Sequence, residues 1–304
     1  MSTSTLPWSF PSLPDAADVP RASAPLTLRY DDLTQDGQVK LASLPLAVER
    51  ACFHELWTKS PLLDTYKTGI FPILTRLCLE GDVGTVLLGA QLEARGAMQL
   101  AHEVDGSGQV QALIVNMSAE LYGPLGRSVG APPEGAGKPV CLGRVFGEHV
   151  FTKPFAPAGE RKVLRLDLPG VPQVPRAAHT RLPLSAALDL PPSAAALDTK
   201  ARPDAAPWAF GLVHTDHNQH VNSLVYGRLF EEAALRRLGE LGEDTKRHAR
   251  RVELFYRKPC FAGERLTCML RAFRAGDSVG VVGYLAATPE TPIERAHCAA
   301  RVVF

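Results

Sequence analysis

The chain has 304 residues, 45% of them hydrophobic, which is enough for one large globular domain or two of ordinary size. Its 33 basic and 32 acidic residues leave a formal net charge of +1. This balance excludes a general electrostatic attraction to nucleic acid or to an anionic membrane, so any electrostatic recognition must be local.

No stretch of the sequence approaches the roughly 18 consecutive apolar residues that a membrane-spanning helix needs. The opening MSTSTLPWSFPSLPDAADVP also lacks the basic start and apolar run of a secretion signal. We therefore expect a cytoplasmic protein without a membrane partner. The six cysteines form no CxxC pair, which favours reduced and mostly buried thiols over a disulfide scaffold.

Residues 1–24 are predicted to form a disordered or extended tail, and residues 25–123 a first folded unit. In this unit a short apolar strand from Leu26 to Tyr30 leads through a polar loop into a helix. Ser43 is expected to cap the helix, with Pro45 in its first turn. The apolar stripe of the helix consists of Leu44, Val48, Ala51, Cys52 and Leu56.

Residues 124–205 contain 13 of the 25 prolines. Proline at this density disfavours long helices and central strands, so this segment is predicted to be a Pro-rich linker. Because a connection of about 80 residues without structure is unusual in a compact protein, part of it is expected to wrap along the folded units.

Residues 206–304 are predicted to form a second unit of the same design. A strand from Trp208 to Val213 leads into a helix that begins near residues 222–224, and Gly239 is expected to end this helix as a left-handed cap. Alternating or apolar runs separated by turn residues then indicate an antiparallel sheet with one face on the helix. These runs are residues 251–256, 266–270, 278–284 and 299–304.

The two units align with each other when the chain is shifted by 182 residues. Residues 33–56 then lie over the segment that starts at Thr215, with Val39 on Val221, and further along Cys78 falls on Cys260. One register over some sixty residues, in which hydrophobic pattern and glycine placement agree, indicates an internal duplication.

The segment His214-Thr-Asp-His-Asn-Gln-His-Val-Asn222 concentrates polar and ionisable side chains. Its HxxHxxH pattern could hold a metal ion, but histidines six positions apart do not share a helix face. It could also be a solvated loop without a role. A third interpretation is a catalytic loop, in which Asp216 and His220 supply a base and the group that orients it, and the N–H groups of the following helix stabilise an oxyanion.

The pattern Asp216-x-Asn218-Gln219-His220-Val221-Asn222, followed by an amphipathic helix, resembles the signature in the C-terminal half of plant-type and bacterial acyl-ACP thioesterases. It resembles more loosely the loop of single-unit hotdog enzymes such as 4-hydroxybenzoyl-CoA thioesterase. Residues 252–266 are similar to the strand, turn and glycine segment of the same family. The resemblance covers most of residues 206–304 and, through the repeat, residues 25–123. It implies an α+β double hotdog, in which each of two tandem units wraps an antiparallel sheet around one central helix.

The resemblance also implies roles for individual residues. Asp216 would be the catalytic carboxylate, Asn218 would help to hold substrate or water, and His220 would be the general base or polarising group. Asn222 and Ser223 would order the turn or contact the substrate.

A cysteine proposed as catalytic in the plant enzymes would correspond to Cys260. The glutamate that precedes it in the plant motif is Pro259 here, and the duplicated Cys78 favours a packing role for both thiols.

The first copy of the loop has lost the imidazole. Thr34, Asp36, Gln38 and Lys40 stand where the second copy has Asp216, Asn218, His220 and Asn222. One working site per chain, carried by the second unit, is therefore expected, and the resemblance implies that the first unit helps to form the acyl pocket. The alternative is that Asp36 still works as a lone carboxylate.

A basic stretch, Lys246-Arg-His-Ala-Arg-Arg251, is followed closely by Arg257 and Lys258. Arg251 and Lys258 are candidates to contact the phosphates of a phosphopantetheine or CoA arm, or an acidic carrier protein. The alternative is an ordinary solvated loop face.

We therefore expect a thioesterase that hydrolyses acyl-ACP or acyl-CoA to free acid and thiol in fatty acid or polyketide metabolism, with no cofactor and no metal. One alternative is a hotdog dehydratase or hydratase acting on acyl thioesters. Another is a non-catalytic protein that binds acyl thioesters or their carrier. Because two units in one chain already form the pair that single hotdogs make by dimerising, both a monomer and a homodimer are compatible with the sequence.

Overall fold

Two units of the chain have their own sets of internal contacts in the computed structural model, which describes residues 6–81 and 84–304. The first unit is residues 11–181, and the second combines residues 182–304 with the residues up to Phe10. The boundary after Arg181 falls inside the segment that the sequence predicts as a linker. Among the described residues, every helix is too short or too polar to span a lipid bilayer.

Long antiparallel strands form the first unit. They are β1 (Arg21–Leu26), β2 (Phe71–Gly81), β3 (Leu92–Val104), β4 (Val110–Pro124) and β5 (Pro139–Thr152), with a two-residue strand β6 (Ala177–Ala178). Their order is β1-β3-β4-β5-β2, and β6 pairs in parallel with β3.

The helix of the first unit changes its winding along its length. A 3₁₀ turn (Leu41–Ser43) precedes a short α-helix, α1 (Pro45–Val48), and π-helical turns follow from Glu49 to Trp57. The helix lies very close to β3, because a Cβ atom on Gly96 would come within 2.6 Å of the Cβ of Ala51. Glycine at this position therefore sets the distance between the helix and its sheet.

Ser43 does not cap this helix, contrary to the prediction. The N-cap position is Leu44, which offers no side-chain hydrogen bond. The Ser43 Oγ instead donates to Oδ1 of Asp32 at 2.9 Å. The Asp32 side chain is buried, and a buried carboxylate requires donors, so it takes the hydroxyl that would otherwise cap the helix.

The predicted linker, residues 124–205, contains a central strand of the first unit, so this prediction was wrong in part. Its prolines are unevenly spread, and residues 140–153 contain none, which leaves every N–H of this stretch free to pair. As a result β5 pairs with both β4 and β2.

The N-terminal segment also differs from the predicted tail. Arg21, at the start of β1, pairs with Ala97, and the Trp8 ring packs edge-on against Phe273 with ring centroids 5.5 Å apart. Apolar side chains in a short segment can be ordered by packing on a distant part of the chain, which local composition does not show. Residues 1–5, which were also predicted to belong to the tail, lie outside the described residues.

The second unit repeats this connectivity. Its elements are β7 (Ala195–Ala196), β8 (Arg202–Pro203), β9 (Trp208–Ala209), α2 (Ser223–Glu240), β10 (Arg251–Tyr256), β11 (Arg265–Ala275), β12 (Ser278–Ala286) and β13 (Cys298–Val303). The order is β10-β13-β12-β11-β7, and β8 and β9 also pair with β11. Counted from each helix, the four following strands are arranged in the same order in both units.

Helix α2 ends later than predicted. It includes Gly239 and ends at Glu240, and the left-handed residue is Gly242, with a φ of 77°. The N–H groups of Leu241 and Gly242 donate to the carbonyls of Leu238 and Gly239, which closes the last turn beyond the predicted end.

The repeat offset of 182 does not extend along the strands as predicted. β3 begins at Leu92 and β11 at Arg265, which are 173 positions apart. Cys78 lies within β2, whereas Cys260 lies after the end of β10. Because the two units differ in strand and loop lengths, these two cysteines lie in different local structure, although both are buried.

Candidate active site

The loop from His214 to Asn222 is a closed turn held by its own backbone. The N–H of Asp216 donates to the His220 carbonyl at 3.2 Å, and the N–H of Gln219 donates to the Asp216 carbonyl at 2.9 Å. Gln219 has a φ of 64°, and within the described residues it is the one non-glycine residue with a positive φ. Since this conformation is uncommon for a side chain of this size, the turn holds a small amount of backbone strain.

The first unit contains the same turn, 182 residues earlier. The N–H of Thr34 donates to the Gln38 carbonyl at 2.8 Å, the N–H of Gly37 donates to the Thr34 carbonyl at 3.0 Å, and Gly37 has a φ of 83°. Each of these features has its counterpart in the second unit at the same offset. The duplication therefore holds for this turn at the level of backbone geometry.

Asp216 is fixed by two hydrogen bonds. Its Oδ1 accepts from the N–H of Asn218 at 2.9 Å, and its Oδ2 accepts from Nδ2 of Asn222 at 3.1 Å. Asn222 is also the N-cap of α2, because its Oδ1 accepts from the N–H of Leu224 at 2.9 Å. Asn222 thus joins the carboxylate directly to the start of the helix.

His220 is half-buried, and its Nδ1 lies 3.2 Å from the Val221 carbonyl oxygen. A carbonyl only accepts, so Nδ1 carries the hydrogen in this contact and the Nε2 of the neutral ring has a free lone pair. No hydrogen bond or ion pair joins the His220 ring to the Asp216 carboxylate, both of which the structure describes. The two groups are therefore presented separately at the loop.

The three histidines of the loop do not form a metal-ligand set. The Nδ1 of His214 accepts from the N–H of Gly211 at 2.9 Å, while His217 is exposed. In the part of the chain that the structure describes, the ligand atoms of His214, His217 and His220 do not form a cluster at metal-binding distance.

The first turn of α2 lies directly beyond this loop. The Tyr256 hydroxyl donates to the Ser223 carbonyl at 2.8 Å, which fixes that turn. The N–H of Ser223 donates no hydrogen bond within the described residues. A free N–H at the positive end of an 18-residue helix is a suitable donor for an anionic oxygen.

Arg251 is not accessible to a substrate phosphate, so this prediction was wrong. Its side chain is buried, with 1% of the residue exposed, and its guanidinium donates to the carbonyls of Trp8 and Ser9. The partner segment lies more than 240 positions away, and no local pattern could have shown it. Lys258 is exposed on the turn after β10, and Asp36 is exposed on the turn of the first unit.

Cys260 has a partner that the sequence analysis missed. Its Sγ lies 3.1 Å from Nδ1 of His297, and its N–H donates to the Tyr226 hydroxyl at 3.0 Å. Burial raises the pKa of the Cys260 thiol to about 12, whereas burial and then Lys258 lower the pKa of His297. The Cys260 thiol is therefore protonated at neutral pH and is not a nucleophile.

Glu231 on α2 is a second group that the sequence analysis did not single out. Burial raises the pKa of its carboxyl from 4.5 to about 7. Its counterpart by the repeat offset, Glu49, is exposed and lies 3.6 Å from His54. The periodicity of the helix could have placed Glu231 at the edge of the buried face, next to Gly227 and Ala234, but not the extent of its burial.

No protein-family model and no curated protein sequence matches the chain. Among solved structures, an oleoyl thioesterase from Lactobacillus plantarum is similar with a TM-score of 0.60 and 15% identity, over 94% of this chain and 96% of that one. A 12:0-ACP thioesterase from Umbellularia californica has a TM-score of 0.56 and 12% identity, over 93% of each chain. An acyl-ACP thioesterase from Bacteroides thetaiotaomicron has a TM-score of 0.51 and 13% identity, over 93% of this chain and 97% of that one.

These similarities, together with the long antiparallel strands and the few helices, show that the chain has a hotdog fold of the kind found in thioesterases. MaoC-like dehydratases also align, with TM-scores of 0.43 and 0.46. At such low identity the likeness defines the fold and leaves the reaction to be argued from the loop at the start of α2.

Proposed function

We propose that this protein is built from two tandem hotdog units and hydrolyses an acyl thioester, carried on acyl carrier protein or CoA, to a free acid and a thiol. The observation that carries the proposal is the arrangement at the start of α2. There Asn222 links the Asp216 carboxylate to the helix, and His220 presents a free Nε2.

In the proposed reaction a water molecule attacks the acyl carbon while Nε2 of His220 takes one of its protons. The Ser223 N–H stabilises the oxyanion that forms. The C–S bond then breaks, and the leaving thiolate takes the proton from His220. Asp216 holds the attacking water, since each of its two oxygens accepts one hydrogen bond in the turn and has a further lone pair.

One site per chain follows from the same chemistry. The turn of the first unit has Thr34 and Gln38 at the positions of Asp216 and His220. Neither side chain accepts a proton at neutral pH, so we assign the reaction to the second unit.

The test is an assay of thiol release from a panel of acyl-CoA and acyl-ACP species. We expect release by the wild-type protein and a loss of at least about a hundredfold in His220→Ala, because a general base contributes on the order of 10²–10⁴ in rate. His217→Ala is the matched control, since it removes an exposed imidazole of the same loop and should keep the activity.

The other outcomes contradict hydrolysis. Loss or addition of water without thiol release would show a dehydratase or hydratase. Stable retention of the intact thioester would show a binding protein. Equal activity of the two histidine variants would exclude His220 as the base.

A further inference from the structure

Three potential metal ligands meet next to the candidate active site. Cys260 and Glu264 lie in the turn between β10 and β11, and His297 directly precedes β13. One ligand atom from each residue lies within 4.8 Å of the other two, and this is the one such group among the described residues. Two segments of the chain more than thirty positions apart are therefore brought together at this point.

The composition and spacing of the group suit one divalent ion. Thiolate, imidazole and carboxylate are the side chains that zinc selects in proteins. A tetrahedral ion with bonds of about 2.0–2.3 Å separates its ligand atoms by about 3.3–3.7 Å. The distance of 3.1 Å between Cys260 Sγ and His297 Nδ1 needs only a small side-chain adjustment to reach that range. The same nitrogen lies 3.2 Å from the Pro259 carbonyl oxygen, a contact that the bond to the ion would replace.

The backbone holds all three residues in place. The N–H of Cys260 donates to the Tyr226 hydroxyl at 3.0 Å, and the N–H of His297 donates to the Leu285 carbonyl at 2.8 Å. The Glu264 carboxylate accepts from the N–H of Phe261 at 2.9 Å through Oε2, which leaves Oε1 for another partner. The ligands are thus preorganised before any ion binds.

Without an ion, the charges of the group are poorly balanced. The thiol of Cys260 and the imidazole of His297 contact each other, and the negative Glu264 carboxylate lies beside them with no cation among the three residues. A divalent cation supplies the missing positive charge, because it attracts the carboxylate and stabilises the thiolate. Lys258 and Arg257 are opposing cations near the group, but both side chains are exposed and solvent screens their repulsion.

We propose that Cys260, Glu264 and His297 bind one divalent cation of the zinc type, with the fourth coordination position open to water. On binding, the S–H bond of Cys260 is replaced by a bond from sulfur to the metal, and the proton is released to solvent. The Val221 N–H donates to the Cys260 carbonyl at 2.8 Å, so the ion stabilises the turn that carries His220. This inference does not depend on the proposed hydrolysis.

The test is titration of tag-free, full-length protein with Zn²⁺ and with Co²⁺. We expect one ion per chain, a rise in melting temperature with Zn²⁺, and the absorption of a sulfur-to-cobalt charge transfer with Co²⁺. Cys260→Ser and His297→Gln should each weaken binding by more than about a hundredfold. Cys298→Ser is the matched control, because it changes a buried thiol next to His297 that lies outside the group.

Glu264→Gln keeps the proposal testable if the variants at the buried residues Cys260 and His297 do not fold. Its amide oxygen can still accept from Phe261, and it should bind zinc at least about tenfold more weakly. Absence of stoichiometric binding by the wild-type protein would overturn the proposal. Equal affinity of wild-type, Cys260→Ser and Glu264→Gln proteins would also overturn it.

Discussion

At the scale of single residues, the two units differ in the backbone conformation and the burial of residues at equivalent positions. The repeat aligns Gly37 with Gln219 and Glu49 with Glu231. In each pair the second unit has the residue with the higher free-energy cost, a positive φ at Gln219 and a half-buried carboxyl with a raised pKa at Glu231. Such costs concentrate at functional sites, and here both fall in the unit to which we assign the reaction.

The burial of Glu231 predicts a pH dependence of stability. The pKa of this carboxyl is about 7 in the folded chain, above its ordinary value of 4.5, so the folded state keeps the proton longer than the unfolded state does. Stability from this group is therefore fully present below pH 4.5 and is lost as the pH rises to about 7. Glu231→Gln should stabilise the protein by roughly 2–3 kcal/mol above that pH and have little effect in acid.

Urea denaturation at an acid and an alkaline pH measures this difference. Glu232→Gln is the control, because the neighbouring carboxylate is exposed and should give no pH-dependent gain. The same gain in both variants, or a gain for Glu231→Gln in acid only, would contradict the assignment.

At the scale of elements, close contact between helix and sheet decides the geometry of the first unit. Cβ atoms built on Gly96 and Gly143 would lie within 2.6 Å of Ala51 and 2.7 Å of Leu44, which are both on the helical segment. These glycines let the helix lie close to β3 and β5. The unusual winding from Glu49 to Trp57 occurs in the same region, which makes this packing sensitive to added volume.

Gly96→Ala tests this close approach. Overpacking at a site without room should destabilise the protein by about 1–3 kcal/mol, which chemical denaturation would detect. Gly106→Ala is the matched control, since nothing lies within 4 Å of a Cβ at that position. If Gly96→Ala were as harmless as the control, the helix could not be packed as closely as the structure has it.

At the scale of the whole molecule, local patterns predicted part of the organisation. The strand Arg251–Tyr256 and the start of α2 at Ser223 agree with the strand predicted at residues 251–256 and the helix start predicted near residues 222–224. The turn around Asp216 was found from the sequence because the hydrogen bonds of Asp216 are all with residues of the same loop. The contacts of Arg251 and His297 could not be predicted from local sequence, because their partners come from other parts of the chain.

The N-terminal segment gives a prediction at this scale. Trp8 packs against Phe273, and its carbonyl accepts from the buried Arg251 guanidinium. Trp8→Ala should therefore destabilise the protein by about 2–4 kcal/mol, as observed for large-to-small changes in packed sites. The melting temperature of full-length protein reports this loss, and Phe155→Ala, which removes a ring that is 88% exposed, should change it little. An equal effect of both variants would mean that residues 6–10 do not stabilise the second unit.

We propose above all that the turn at the start of α2 activates water against an acyl thioester. This activation is tested most directly by a single turnover in water labelled with heavy oxygen, followed by mass spectrometry of the released acid and of the peptide that contains Asp216. We predict one labelled oxygen in the acid and none in Asp216. Label in the Asp216 carboxylate would show that the aspartate itself attacks the acyl carbon. Absence of acid release would contradict the proposed hydrolase activity.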